Sequence, residues 1–303
     1  MKSFVNLADI DKQDLRKIID LAIDRKKKDK KDVELSKRLK RKTLIMIFEK
    51  KSLRTRISFE LAMKQLGGDL LSLNLQDSHY GNGGESIHDT AKVISQYGDI
   101  VMMRANEHEN FLKFKKNLDI PIINGLTNLS HPCQIMADVM TFEELKGPIT
   151  NRKIAWLGDG NNVVYSLIEA SVKFGFELAI ASPKNFQPDK KILKWAKNKN
   201  ARIFITKDPK EAVKLADCVI TDKWISMSDK SNKKKKKKIL KPYQVNSKIM
   251  RLAKSDAIFM HCLPANRGEE VTNEVIDGKQ SVLWLEALNR MHVQKSIIEW
   301  CLE

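Results

Sequence analysis

Short apolar runs of strand length alternate with helical stretches in two successive series, and this alternation is the tightest constraint on what the chain can fold into. Runs at 44–48, 70–75, 100–103 and 120–123 form the first series. Runs at 153–157, 177–181, 202–205, 218–221, 257–260 and 282–284 form the second. The expected class is therefore α/β, with two domains, each a parallel sheet flanked by helices. A chain of 303 residues can supply two such cores. Gly147-Pro148 ends a helix that opens near Cys133, which sets the domains at 1–147 and 148–285. Leu15, Ile18, Ile19 and Ala22 lie at helical spacing near the start, and 286–303 reads as a closing helix.

Most residues capable of chemistry fall just after strands, where open parallel sheets bind their ligands. The turn Ser52-Leu53-Arg54-Thr55-Arg56 comes directly after the apolar run at 43–48 and leads into a helix. The first N–H groups of that helix are unpaired and sit at the positive end of its dipole, and two guanidiniums and two hydroxyls crowd the same turn. A phosphate fits there; the plain alternative is a capped surface helix with solvated arginines. Arg104, His131, Asn162, 222–227 and 261–264 share the post-strand placement, so that one cleft can gather them.

The net charge of +17 and six consecutive lysines at 233–238 raise nucleic acid as a partner. The basic residues are dispersed, however, with few aromatics among them to stack bases, so a solvated surface with a lysine-rich loop is expected instead. The start lacks the pattern of a signal peptide and no apolar run approaches membrane-spanning length. Cysteines at 133, 218, 262 and 301 are too few for a disulfide framework. The expectation is a cytoplasmic protein without membrane contact. Neither His131-Pro132-Cys133 nor His261-Cys262 has the spacing that closes a zinc site, so no metal is expected. Gly158-Asp159-Gly160-Asn161-Asn162 lacks the third glycine of a dinucleotide loop, Val163 standing in its place, and Ser182 stands where the acidic partner belongs. Asn162 can present its amide to a carboxylate or simply cap the helix.

Taken together, the Ser52–Arg56 turn, His131-Pro132-Cys133-Gln134 and His261-Cys262-Leu263-Pro264 resemble the aspartate/ornithine carbamoyltransferase superfamily, in order and spacing over the whole chain. Gly158–Asn162, Asp222-Lys223-Trp224-Ile225-Ser226-Met227 and the run from His261 to Val271 are similar to its ornithine branch. Two positions depart from the pattern. Leu53 replaces a threonine, as in the acetylornithine and succinylornithine branch, and Ser228 replaces a glycine that tolerates positive φ without cost.

The resemblance implies transfer of the carbamoyl group of carbamoyl phosphate to L-ornithine, giving citrulline without cofactor or metal. It implies that Ser52, Leu53 through its backbone, Arg54, Thr55, Arg104 and Arg290 hold the phosphate. His131, Arg104 and Thr55 would polarise the carbamoyl oxygen, and Gln134 with the carbonyl of Leu263 would hold the carbamoyl NH2. Asp222 is suited to the α-ammonium of ornithine, Asn162 and Met227 to its carboxylate, and Cys262 with Ser226 and Asp222 to the reacting amine, Cys262 as a polar contact and not a covalent nucleophile. The C-terminal helix would return to the first domain. The family forms trimers or multiples of trimers in which a neighbouring subunit lends a loop; here His79, or Tyr80 if the glycine-rich stretch carries an insertion, is the implied contact. The alternatives are a carbamoyltransferase for acylated ornithine or putrescine and, more distantly, a lysine-rich nucleic-acid binder.

Overall fold

The computed structural model describes residues 1–28, 37–50, 52–74, 84–225 and 232–303. The chain divides into two compact units, Met1–Met140 with Leu288–Glu303, and Thr141–Ala287.

In the first unit β1 (Thr43–Phe48), β2 (Asp69–Asn74), β3 (Ile100–Arg104) and β4 (Ile122–Leu126) form one parallel sheet in the order β2-β1-β3-β4. Its helices are α1 (Lys12–Lys28), α2 (Leu53–Gln65), α3 (Ile87–Tyr97), α4 (His108–Asn117) and the greater part of α5 (Pro132–Lys146). After Thr43, β1 is buried along its whole length, which is why Leu44-Ile45-Met46-Ile47-Phe48 is apolar without alternation. Because β2 and β3 lie on opposite sides of β1, the sheet reverses direction there, and the crevice such a reversal leaves opens at the carboxyl ends of β1 and β3. The register sets Phe48 beside Arg104, so the start of α2 and the end of β3 share that edge.

The second unit carries β5 (Lys153–Leu157), β6 (Glu177–Ala181), β7 (Ile203–Thr206), β8 (Cys218–Thr221) and β9 (Ile258–Met260), all parallel, in the order β7-β6-β5-β8-β9. Its further helices are α6 (Asn162–Phe174), α7 (Lys190–Asn198), α8 (Pro209–Val213), α9 (Lys233–Leu240), α10 (Ser247–Met250) and α11 (Asn273–Ile276). Here the reversal falls between β5 and β8, so the turns after those strands face one crevice. Trp156 on β5 is fully buried and its indole N–H donates to the carbonyl of Asp159 at 3.1 Å, tying the strand to the turn at its carboxyl end.

The last helix, α12 (Leu283–Leu302), gives its residues from Leu288 onward to the first unit. There Trp300 meets Phe4 edge to face at 6.2 Å, and Glu299 is an ion-pair partner of both Arg25 and Arg38. The C-terminal helix thus packs on the first domain.

Two expectations are corrected. Residues 282–284 do not form a strand: a single bridge joins Ser281 to Phe259 and α12 begins at Leu283. Three apolar residues fit either periodicity, and the helical spacing that continues through Leu302 decides between them. Nor do Lys233 to Lys238 lie in a loop. They open α9, capped by the Asn232 side chain, which accepts from the N–H of Lys235. Lysine is a good helix former, and ion pairs of Lys236 with Asp159 and of Lys237 with Glu269 offset the repulsion within the run.

The turn after β5 is tight enough to test. Gly158 has φ +133°, and a Cβ on Gly160 would lie 2.6 Å from the carbonyl oxygen of Phe186 and 2.7 Å from backbone atoms of Gln187 and Pro188. Gly160→Ala is expected to lower stability by about 1–3 kcal/mol through overpacking. Urea unfolding followed by tryptophan fluorescence checks this, and an unchanged midpoint contradicts the packing described.

Candidate active site

In the first unit the convergence point is the side chain of Thr55, one turn into α2 and buried. Its hydroxyl oxygen accepts from Arg104 Nη1 at 3.2 Å and from Arg290 Nη2 at 3.0 Å. Arg104 arrives from the end of β3 and Arg290 from α12, so residues far apart in sequence meet at one atom. Arg290 Nη1 also donates to Gln134 Oε1, and Gln134 in turn donates to Asp138 at 2.8 Å, both on α5. Ser52 occupies the N-cap position of α2 in extended backbone, and its side chain makes no capping bond. Leu53, whose side chain is 70% exposed, contributes its backbone to that first turn while its side chain points to solvent.

His131 is buried beside this group. Burial first, and then the guanidiniums of Arg290, Arg104 and Arg54, hold its imidazole well below the usual 6.5, so the ring is neutral at pH 7. Cys133, two residues on, is a buried thiol pushed up to about 12 by desolvation and is no nucleophile. The arrangement is a receptor for a multiply charged anion: guanidiniums, a neutral imidazole and a helix N-terminus around a buried hydroxyl.

In the second unit the carboxylate of Asp222, just beyond β8, is the centre. Oδ2 accepts from Asn161 Nδ2 at 2.7 Å and Oδ1 from Cys262 Sγ at 3.3 Å. Asn161 also caps α6, its Oδ1 accepting from the N–H groups of Val163 and Val164, so one side chain fixes both the helix start and the acid. The cap is thus Asn161; Asn162 is the first helical residue. His261, buried after β9, receives the N–H of Leu263 on Nδ1 at 2.9 Å and meets Glu270 through Nε2 at 3.2 Å, while its own N–H goes to Glu286 at 2.9 Å. An acceptor at Nδ1 means the proton sits on Nε2, facing the carboxylate. These bonds hold Leu263 at φ +57°. Asp222, His261 and Cys262 carry donor atoms within 4.8 Å of one another. Cys262 donates to Asp222 and both ring nitrogens of His261 are engaged with other residues, so the trio offers a metal no imidazole.

The structure brings together Thr55, Arg104, Gln134, His131 and Arg290 in one unit, and Asp222 and Cys262 in the other. His79, Ser226 and Met227 lie outside the described residues. Sequence reasoning passed over Asn161, Glu270 and Glu286. The first was signalled by its place as the earlier of two asparagines before a helix; Glu270 lies inside the run from His261 to Val271 but was given no role there, and Glu286 is brought to His261 only by the fold.

Residues 2–144 match the model of the aspartate/ornithine carbamoyltransferase carbamoyl-P binding domain, and residues 150–301 that of the Asp/Orn binding domain. Over 301 residues the chain is 52% identical to an ornithine carbamoyltransferase of Rhodopseudomonas palustris, spanning 99% of this chain and 96% of that protein. It is 50% identical to one of Nitrobacter winogradskyi, spanning 99% and 97%. Among solved structures, the ornithine carbamoyltransferase of Pyrococcus furiosus superposes with a TM-score of 0.93 at 43% identity, covering 98% of this chain and 96% of that one. The anabolic enzyme of Campylobacter jejuni gives 0.92 at 39%, covering 99% of each.

His131 makes a testable link to pH. Its folded-state pKa lies below the unfolded one, so its contribution to stability is complete above about 6.5 and is lost as pH falls from there toward the folded value. Between pH 7 and pH 5 the calorimetric unfolding temperature of the wild type should fall more steeply than that of His131→Gln. Parallel slopes would show that the ring is not held neutral.

Proposed function

The chain belongs to the aspartate/ornithine carbamoyltransferase family, and from that premise we infer that it transfers the carbamoyl group of carbamoyl phosphate to the side-chain amine of L-ornithine, forming L-citrulline and phosphate. The observation that carries this reading is the pair of guanidiniums sharing the buried Thr55 hydroxyl.

We assign the phosphate of the donor to Arg54, Arg104, Arg290, Ser52 and the first N–H groups of α2. A hydroxyl oxygen that accepts from two guanidiniums has its own hydrogen left to give, and Thr55 directs it to the carbamoyl oxygen together with Arg104 and His131. That oxygen gains negative charge as the tetrahedral intermediate forms, and fixed donors in a buried site stabilise it more than they stabilise the ground state. Gln134 accepts from the carbamoyl NH2. Metal is not needed to activate the leaving group, since phosphate already leaves readily.

On the ornithine side, Asp222 takes the α-ammonium and the amide of Asn162, the first residue of α6, the carboxylate. The side-chain amine attacks as the free base; the C–N bond forms, the C–O bond to phosphate breaks, and the amine's surplus proton departs with the phosphate. Asp222 favours a substrate with a free ammonium over acylated ornithine, and Asn162, as the partner of the carboxylate, favours ornithine over putrescine, which has none. Leu53, the residue shared with the acylornithine branch, bears on this weakly because its apolar side chain has no donor or acceptor to offer an ammonium or a carboxylate. The anabolic character of the Campylobacter jejuni neighbour supports a place in arginine biosynthesis.

We further propose a homotrimer. Leu53, Ile57 and Leu61 form an exposed apolar stripe at four-residue spacing on α2, and such a stripe suits contact with a second copy. Four free cysteines fit a cytoplasmic setting, and no helix among the described residues is long and apolar enough to cross a membrane.

Side-by-side assays of ornithine, acetylornithine and putrescine with carbamoyl phosphate should give product with ornithine alone, whereas preference for either rival would overturn the substrate assignment. Asp222→Asn should raise KM for ornithine by about tenfold to a hundredfold, the worth of a hydrogen bond to a charged group. An unchanged KM would remove Asp222 from the substrate.

A further inference from the structure

Of the six lysines that open α9, one behaves unlike the rest. Lys233, Lys234, Lys235 and Lys238 are exposed, whereas Lys236 is buried to 8% exposure. Its ammonium lies 2.6 Å from Asp159 Oδ2 and 5.2 Å from the centroid of the Phe186 ring. Asp159 belongs to the glycine turn after β5. Its carbonyl receives the N–H of Asn161 at 2.9 Å, and the N–H of Gly160 goes to the carbonyl of Phe186 at 2.6 Å. Asn161 then holds Asp222. A continuous chain of short polar contacts therefore runs Lys236, Asp159, Asn161, Asp222 within the second unit.

We propose that Lys236 is a positioning residue for the amino-acid substrate: by neutralising Asp159 it fixes the turn through which Asn161 aims Asp222. The inference rests on the assignment of Asp222 to the ornithine ammonium. The physical reason is charge balance within the turn. Asp159 has a side chain only 17% exposed and needs a partner for its charge. Without the ammonium the turn is no longer held in place, and because the Asn161 N–H is bonded to the Asp159 carbonyl, the aim of the Asn161 amide on Asp222 shifts with it. A lysine serves here because its long apolar stem crosses the packed face of α9 and Phe186 while the head reaches the acid. The exposed lysines of the run play no part in this.

The test is steady-state kinetics on the full-length protein with each substrate varied in turn. Lys236→Met should raise KM for ornithine by about tenfold or more while KM for carbamoyl phosphate stays within about twofold of wild type. Lys236→Arg, which keeps the charge, should restore most of the loss, and Lys234→Met should behave as wild type. Adding Asp159→Asn to Lys236→Met should recover part of the ornithine affinity, because the charge that Lys236 balances is gone. If Lys236→Met does not fold, Lys236→Gln is read in its place. An ornithine KM unchanged in the neutral variant, or a parallel rise in KM for both substrates, would overturn the proposal. Wild-type protein that forms no citrulline would instead overturn the functional reading beneath it.

Discussion

Everything in the first unit is arranged around a hydroxyl that holds two positive charges close together. Guanidiniums at one oxygen repel each other, and burial strengthens that repulsion by removing the water that would screen it. Thr55 and Gln134 supply acceptors, Asp138 anchors Gln134, and His131 stays neutral because a further charge there would be prohibitive. A dianion entering such a place relieves repulsion already present, so the folded protein is prepared for its ligand before it arrives. The geometry depends on elements distant in the chain: the β1–β3 register that brings Arg104 beside the start of α2, and α12, which carries Arg290 into the first unit.

The second unit solves a different problem by the same topology. Where its sheet reverses between β5 and β8, a carboxylate is aimed by the asparagine that also caps the next helix, and the thiol of Cys262 meets its other oxygen. Cationic receptors in one unit and an acidic receptor in the other match the opposite charges of carbamoyl phosphate and the ornithine ammonium. The bonds of His261 to Glu270 and to the N–H of Leu263 shape the backbone after β9, next to Cys262.

Much of this was legible in the residues. The strand series and the placement of functional side chains after strands came from apolar runs and from the behaviour of parallel sheets, and the Ser52–Arg56 turn announced an anion by its chemistry. The misreadings have physical causes. Residues 282–284 are too few to show a period of their own, and their helical state depends on the long helix that runs on to Leu302. The lysine run is solvated at four of its six positions, as expected, but it is a helix and not a loop, and the partners that help to hold it, Asp159 and Glu269, lie far away in sequence. Asn161 and Asn162 are chemically identical neighbours, and only backbone geometry tells which one caps. Arg290 meeting Thr55 across 235 residues is a tertiary fact that no local pattern encodes.

The most direct measurement of the central claim is calorimetric titration of inorganic phosphate, the reaction's product, into wild-type protein, Thr55→Val and Thr55→Ser. One site per chain is expected in the wild type, with binding weakened by about tenfold or more in Thr55→Val, where buried guanidinium N–H groups lose their acceptor, and near-wild-type binding in Thr55→Ser. Equal affinity in Thr55→Val and the wild type would contradict it.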